Sequence, residues 1–247
     1  QYQFESHASA LGWLASPSAD INIESVYHDL MGGKEGEYQP FNGICLTDTF
    51  QLYEKDDLVS NMLEANSSRR KRQKSLKIKV IMGNPPYSAG QTSANDNNAN
   101  LEYPKLDKSI SDTYAKHSQA TSTKNLMDSY IRSVRWASDR LAGEDGQGAG
   151  VIGFVSNASF VDANSMDGLR KCLAEEFASI YVFHLRGNQR TAGELSRKEG
   201  GKIFFFFFFA PIAISILVRN CNATEHVRIV LHNIGDYICC DDKLAKM

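Results

Sequence analysis

Asn84-Pro85-Pro86-Tyr87 is the stretch of this 247-residue chain with the clearest chemical content. An amino group conjugated to a planar ring or a carbonyl is a poor nucleophile, because its lone pair is delocalised. A protein can help by accepting hydrogen bonds from both amino hydrogens, which draws the nitrogen towards tetrahedral geometry as a new bond forms. One neutral amide oxygen and one main-chain carbonyl suffice. Asn84 supplies the amide, and Pro85, with its fixed φ, aims the carbonyl. Tyr87 offers a flat face for a planar guest, a contact worth about 1–3 kcal/mol per base. No strong base is required, since the proton becomes acidic only after the nitrogen has been alkylated. Taken alone, the same four residues read equally well as a proline-rich turn. Their place directly after an apolar run favours chemistry, and Asn84, Pro85, Pro86 and Tyr87 form the candidate catalytic set.

Elements must hold that turn. Lys77-Ile78-Lys79-Val80-Ile81-Met82 alternates and then becomes wholly apolar, as a strand entering a buried sheet does, and the prolines end it. Gly43 to Leu46 reads as a short strand ending near Asp48, and a charged helix is expected from about Asp56 to Lys74. A long polar stretch, Ser88 to about Thr123, reads as a loop. Leu126, Tyr130, Val134, Ala137 and Leu141 then recur at helical spacing up to Gly143. Val151–Val155 reads as a strand, Leu169–Phe177 as a helix and Ile180–Leu185 as a strand. Ala210–Val218 is a last apolar strand, and Val227–Leu231 a further short one. Alternating strands and helices predict an α/β fold, with a mostly parallel sheet and helices on both faces. Ligands of such sheets sit beyond the carboxyl ends of the strands, here Asp48, Asn84 to Tyr87, and Ser156-Asn157.

Composition narrows the classes. Hydrophobic residues make up 42% and charged residues 23%, which excludes wholesale disorder. Lys and Arg number 27 against 29 Asp and Glu, a net charge of −2, so nucleic-acid contact would come from local patches. The five cysteines lack C-x-x-C spacing, and the six histidines lack ligand or triad spacing. Neither a zinc site nor a disulfide framework is indicated; no metal is expected, and a reduced, cytoplasmic setting is the simplest reading. Phe204 to Val218 is too short for an ordinary membrane span and contains Pro211.

The chain resembles the methyltransferase region of type ISP restriction-modification enzymes, which are adenine-N6 DNA methyltransferases with an N-P-P-Y signature. The likeness extends from about Gln1 to Asn220. It rests on GNPPYSAGQTSANDNNAN (Gly83 to Asn100), on Asp128-Ser129-Tyr130-Ile131-Arg132 and on Arg135 to Arg140. Leu185 to Glu194 and Gly200-Gly201-Lys202-Ile203-Phe204 add two later blocks. The resemblance implies a Rossmann-like fold that uses S-adenosylmethionine and acts on double-stranded DNA. Helicase and nuclease parts would lie upstream, and a target-recognition region downstream of a catalytic domain spanning residues 1–220. Residues 221–247 would begin a following segment.

The resemblance also implies roles. Asp48, with Thr49 and Phe50 beside it, would hold the adenine end of the cofactor. Asn84 and Pro85 would grip the target amino group, and Tyr87 and Phe204 would stack on the extruded base. Three departures stand against these roles: the glycine-rich cofactor turn is missing, Ala10 occupies the place of a ribose-binding glutamate, and Phe204 to Phe209 is a run of six rings. Glu5 or Glu24 would have to substitute, though the spacing gives no reason for either.

Weaker signals remain two-sided. Arg69-Arg70-Lys71-Arg72 reads equally as a solvated helix face or as a contact for DNA phosphates. Arg186, Asn188 and Arg190 read as reaching phosphate or base, or as a salt-bridged turn. Asp128, Asp139, Glu175 and Glu176 read as helix-surface charges, and the histidines, His184 among them, as structural. Two alternatives to DNA methylation stay open: a non-catalytic DNA-contact module, and methylation of a protein glutamine amide.

Overall fold

The computed structural model describes residues 7–8, 16–31, 41, 43, 45–46, 48–50, 54, 64–86, 102–202, 210–223 and 227–247. The chain divides into two compact units, Gln1–Leu76 with Asn100–Lys105, and Lys77–Ala99 with Leu106–Met247.

In the first unit, β1 (His7–Ala8) pairs in parallel with β2 (Cys45–Leu46), His7 opposite Cys45. Helix α1 (Ser16–Leu30) carries Pro17 in its first turn, where a missing N–H breaks no helical bond. The amide of Phe41 donates to Glu24 Oε1 at 3.3 Å, and the Phe41 ring lies 5.0 Å from that of Tyr27. These contacts tie α1 to the approach to β2. The charged helix α2 (Glu64–Ser75) begins later than the expected Asp56; residues 55–63 lie outside the described residues.

The second unit is a five-stranded sheet in the order β3-β4-β6-β5-β7, formed by β3 (Val80–Gly83), β4 (Gly150–Asn157), β5 (Ser179–Arg186), β6 (Ile212–Arg219) and β7 (Arg228–Asn233). β3 pairs in parallel with β4, and β5 with β7, whereas β6 runs antiparallel between β4 and β5. Four of the five strands therefore point the same way, and the fold is α/β with a mostly parallel sheet. β6 is reversed because residues 187–211 begin and end at the same edge, with His184 opposite Ala213.

Part of the polar stretch expected to be a loop is helical. Helix α3 (Pro104–Ile110) continues as a π-helical turn, Ser111–Ala115, and buries Leu106, Ile110 and Tyr114 at four-residue spacing. A short 3-10 turn, Lys124–Met127, leads into α4 (Ser129–Ala142). Helix α4 packs against β4 and ends at Gly143, whose φ of 68° is the left-handed conformation that glycine adopts freely. Helices α5 (Ser159–Asp162) and α6 (Asp167–Glu176) lie between β4 and β5 in sequence.

Asp139 and Glu175 are exposed, as expected of helix-surface charges, whereas Glu176 is half-buried and paired. The buried Arg135 guanidinium donates to both Glu176 oxygens, at 2.6 and 3.1 Å, and to Asp139 Oδ1 at 3.0 Å. It also stacks 5.2 Å above the buried Tyr114 ring. One turn away, Arg132 makes a two-bond fork with Asp107, both at 2.8 Å. Asp128 is buried as well. These pairs join α3, α4 and α6 through bonds that a buried cation requires.

Residues beyond Asn220, expected to start another segment, are built into this unit. β7 extends the sheet, and Ile234 joins Leu185 and Ile212 in one apolar cluster. Helix α7 (Gly193–Glu199) is followed by Gly200 and Gly201, which lie against the backbone leading into α8 (Cys240–Ala245). A Cβ at Gly200 would stand 2.2 Å from the Ile238 carbonyl oxygen, and one at Gly201 2.5 Å from the Cys240 nitrogen. Buried Lys243 closes the joint by donating to the Glu199 and Gly201 carbonyls, each at 2.8 Å.

No helix among the described residues is long and apolar enough to cross a membrane.

Two stability predictions follow from buried polar groups. Arg135→Ala strips Glu176 and Asp139 of their shared cation and should lower the unfolding free energy by roughly 3 kcal/mol, measured by urea denaturation. A variant as stable as the parent would contradict the bridging role. His184 is buried with no hydrogen-bond partner on either ring nitrogen, and Asp162 Oδ2 lies 3.7 Å from its Nε2. Burial holds its pKa below the ordinary value, with Asp162 and Glu199 opposing and Arg186 and Lys243 reinforcing the shift. The unfolded chain therefore takes up a proton that the folded one refuses, and stability should fall as pH drops below about 6.5. His184→Leu should flatten that fall in melting curves between pH 7 and 5, and an unchanged slope would contradict it.

Candidate functional site

β3 ends where its chemistry begins. Its last residue, Gly83, pairs with Phe154, and a Cβ added there would lie 3.1 Å from the Phe154 ring. The chain then leaves the ladder through Asn84, Pro85 and Pro86, of which Pro85 is buried and Asn84 and Pro86 are exposed. Proline has no N–H to carry the ladder further, so the strand ends here with Pro85 buried between two exposed residues. Tyr87 lies outside the described residues, as do Ala10 and Phe204 to Phe209.

In the first unit, Asp48 follows β2 and is held by two donors. Its Oδ1 accepts the Phe50 amide at 2.9 Å, and its Oδ2 accepts the Tyr103 hydroxyl at 3.0 Å. The buried Tyr103 ring meets Phe50 edge-on, with centroids 5.1 Å apart. Asp48, Thr49 and Phe50 are each half-buried. Asp48 is thus oriented beside the ring of Phe50. Tyr103 carried no signal in the sequence: it is 55 residues from its partner, and its only local mark is the helix-opening Pro104 that follows. Glu24, a replacement acid suggested by sequence, holds the Phe41 amide instead.

The other expected contacts separate into structural and exposed. Arg186, at φ 58°, donates from Nε to Asn233 Oδ1 and pairs through Nη2 with Asp236 Oδ1, both at 2.8 Å. Asn188 donates its amide to Glu199 Oε2 at 2.9 Å and accepts the Arg190 amide on its side chain at 3.1 Å. These two residues hold the turn after β5, the salt-bridged alternative named above, while Arg190 is exposed. On α2, Ser67 and Gln73 are buried, Arg69 and Arg70 half-buried, and Lys71 and Arg72 exposed. The helix therefore turns only part of its basic cluster outward.

No protein-family model matches the sequence, and no curated protein matches it. Solved structures do. A nuclease-deletion mutant of the type ISP restriction-modification enzyme LlaGI, in complex with a DNA substrate mimic, is 49% identical over 98% of this chain, with a TM-score of 0.87. The ATP-dependent type ISP enzyme LlaBIII bound to DNA is 42% identical over 98%, with a TM-score of 0.86. A DrdV–DNA complex is 36% identical over 98%, with a TM-score of 0.83. The chain spans only 19%, 16% and 22% of the lengths of those three proteins. In sequence and in fold, the chain therefore matches one region of the type ISP restriction-modification enzymes.

Proposed function

We propose that this region is the adenine-N6 methyltransferase part of a type ISP enzyme, acting on double-stranded DNA with S-adenosylmethionine as methyl donor. The observation that carries the reading is the placement of Asn84 and Pro85 directly after β3, at the carboxyl end of a parallel strand, with Asn84 exposed beside buried Pro85. Ligands of parallel sheets collect at that edge. The likeness to enzymes solved on DNA supports DNA as the substrate.

The residues present suit the cofactor's adenine. Asp48 is a carboxylate held in place by the Phe50 amide and the Tyr103 hydroxyl, and Phe50 provides a flat apolar neighbour. When bound, S-adenosylmethionine supplies an electrophilic methyl group. The rest falls to this chain's residues. Asn84 Oδ1 and the Pro85 carbonyl accept the two amino hydrogens of a flipped adenine, concentrating its lone pair towards the methyl. Tyr87 and Phe204 stack on the base, which offsets part of the few kcal/mol that extrusion costs. Arg69, Arg70, Lys71, Arg72 and Arg190 neutralise DNA phosphates, while Arg186 and Asn188 shape the turn that presents Arg190.

In the full-length polypeptide, Asn84→Ala should reduce methyl incorporation into DNA by at least roughly 10²-fold while leaving cofactor affinity unchanged. Normal methylation by the variant would refute the catalytic assignment. Asp48→Ala should do the reverse at the first step, weakening S-adenosylmethionine binding in calorimetric titration. Tyr103→Phe should weaken it less, because the carboxylate loses only the Tyr103 hydroxyl and keeps the Phe50 amide. Unaltered affinity in both would remove the cofactor role from Asp48. Transfer to a glutamine-bearing protein but not to DNA would favour the glutamine reading.

A further inference from the structure

Lys243, on α8, is wholly buried where three parts of the second unit meet. Its ammonium donates to the Glu199 and Gly201 carbonyls, each at 2.8 Å. The Glu199 carbonyl also accepts the Gly187 amide at 3.2 Å, and the Glu199 carboxylate accepts the Asn188 amide at 2.9 Å. Gly201 donates its own amide to the Ile238 carbonyl at 2.9 Å, and Tyr237 donates its amide to the Lys198 carbonyl at 3.1 Å. The turn after β5, the chain after α7 and the approach to α8 are thus bonded to one another around the Lys243 ammonium. The turn lies directly against it. A Cβ at Gly187, where φ is 91°, would stand 4.0 Å from Lys243 Nζ and 3.7 Å from the Gly201 carbonyl oxygen.

A cation is a costly way to hold a joint. Lysine is almost never fully buried without partners. Burial holds the Lys243 pKa below the ordinary value, and the charge of Glu199 opposes that shift. An apolar side chain of similar volume often fills such a place with equal or better stability. What it cannot do is set direction, because it draws no carbonyl towards itself. Here two carbonyls on either side of Gly200, whose φ is 70°, converge on one nitrogen and fix how the chain leaves α7. The two arms of the knot lead to proposed DNA contacts. Arg190 belongs to the turn after β5, and Lys202 stands two residues before Phe204.

We infer that Lys243 is a positioning residue for extrusion of the target base. It fixes the chain leading into Phe204 against the turn that presents Arg190, so that stacking and phosphate contact start from one fixed base. The inference rests on the methyltransferase reading, in which Phe204 and Arg190 have those roles. Extrusion costs a few kcal/mol, so misalignment of the groups that offset it lowers the extruded fraction directly.

The full-length polypeptide first serves to map the adenine it methylates, by sequencing treated DNA. A duplex with 2-aminopurine at that position then reports extrusion as a rise in fluorescence. Lys243→Met keeps the apolar stem and removes the donors. Its fluorescence rise per cofactor-binding site should fall about tenfold or more, and methyl transfer with it. Binding of S-adenosylmethionine, followed by calorimetric titration, should stay as in the parent. Lys243→Arg, which keeps a cation and its donors, should recover most of the signal. Lys243→Gln, a shorter and uncharged donor, should fall between the two and replaces Lys243→Met if that variant does not fold. Parent-like extrusion by Lys243→Met would overturn the inference, as would fluorescence lost only in step with cofactor binding. A parent that neither extrudes nor methylates adenine would refute the methyltransferase reading and this inference with it, so the two failures are separately visible.

Discussion

A strand that is forced to stop is the constraint on which the rest of this molecule depends. β3 carries hydrogen bonds to β4 up to Gly83, and the two prolines that follow Asn84 have no N–H with which to continue the ladder. The ladder must end at the sheet's carboxyl edge, where Pro85 is buried. A flexible loop could present an asparagine amide too, but it would lose entropy each time it gripped a planar guest. Burial of Pro85 removes part of that freedom on folding.

The same economy shows in the supporting elements. Asp48 is held by a backbone amide and a tyrosine hydroxyl before any ligand arrives. Helix α4, which fixes β4 and so the partner of β3, is itself pinned through Arg132 and Arg135 to carboxylates on α3 and α6. Lys243 and the close approach at Gly200 and Gly201 anchor the chain just before residues 203–209. Within the second unit, polar side chains, rather than apolar packing alone, pin the helices around the sheet.

Much of this was legible because apolar runs announce buried strands. The runs in β4, β5 and β6 and the helical spacing in α4 carried their own periods. Features that arise from distant pairing were not legible. Asp139 and Glu176 look like surface charges until Arg135 is found between them, since i to i+4 spacing reveals only the Asp139 half. Tyr103 and Asp48 share no local pattern. Helix α3 hid inside a polar stretch because only Leu106, Ile110 and Tyr114 mark its buried side. The reversal of β6 depends on which edge its connection occupies, a property no residue type encodes. The turn at Arg186 to Arg190 offered two readings, and only the partners Asn233, Asp236 and Glu199 decide between them.

The proposed function comes down to one atomic contact. The most direct measurement is a structure of the full-length enzyme trapped on its DNA site with a non-reactive cofactor analogue. The expected result is an extruded adenine with its amino nitrogen within about 3.2 Å of Asn84 Oδ1, a normal hydrogen bond. An adenine extruded elsewhere, or an Asn84 amide turned to solvent with the base in place, would contradict the central claim.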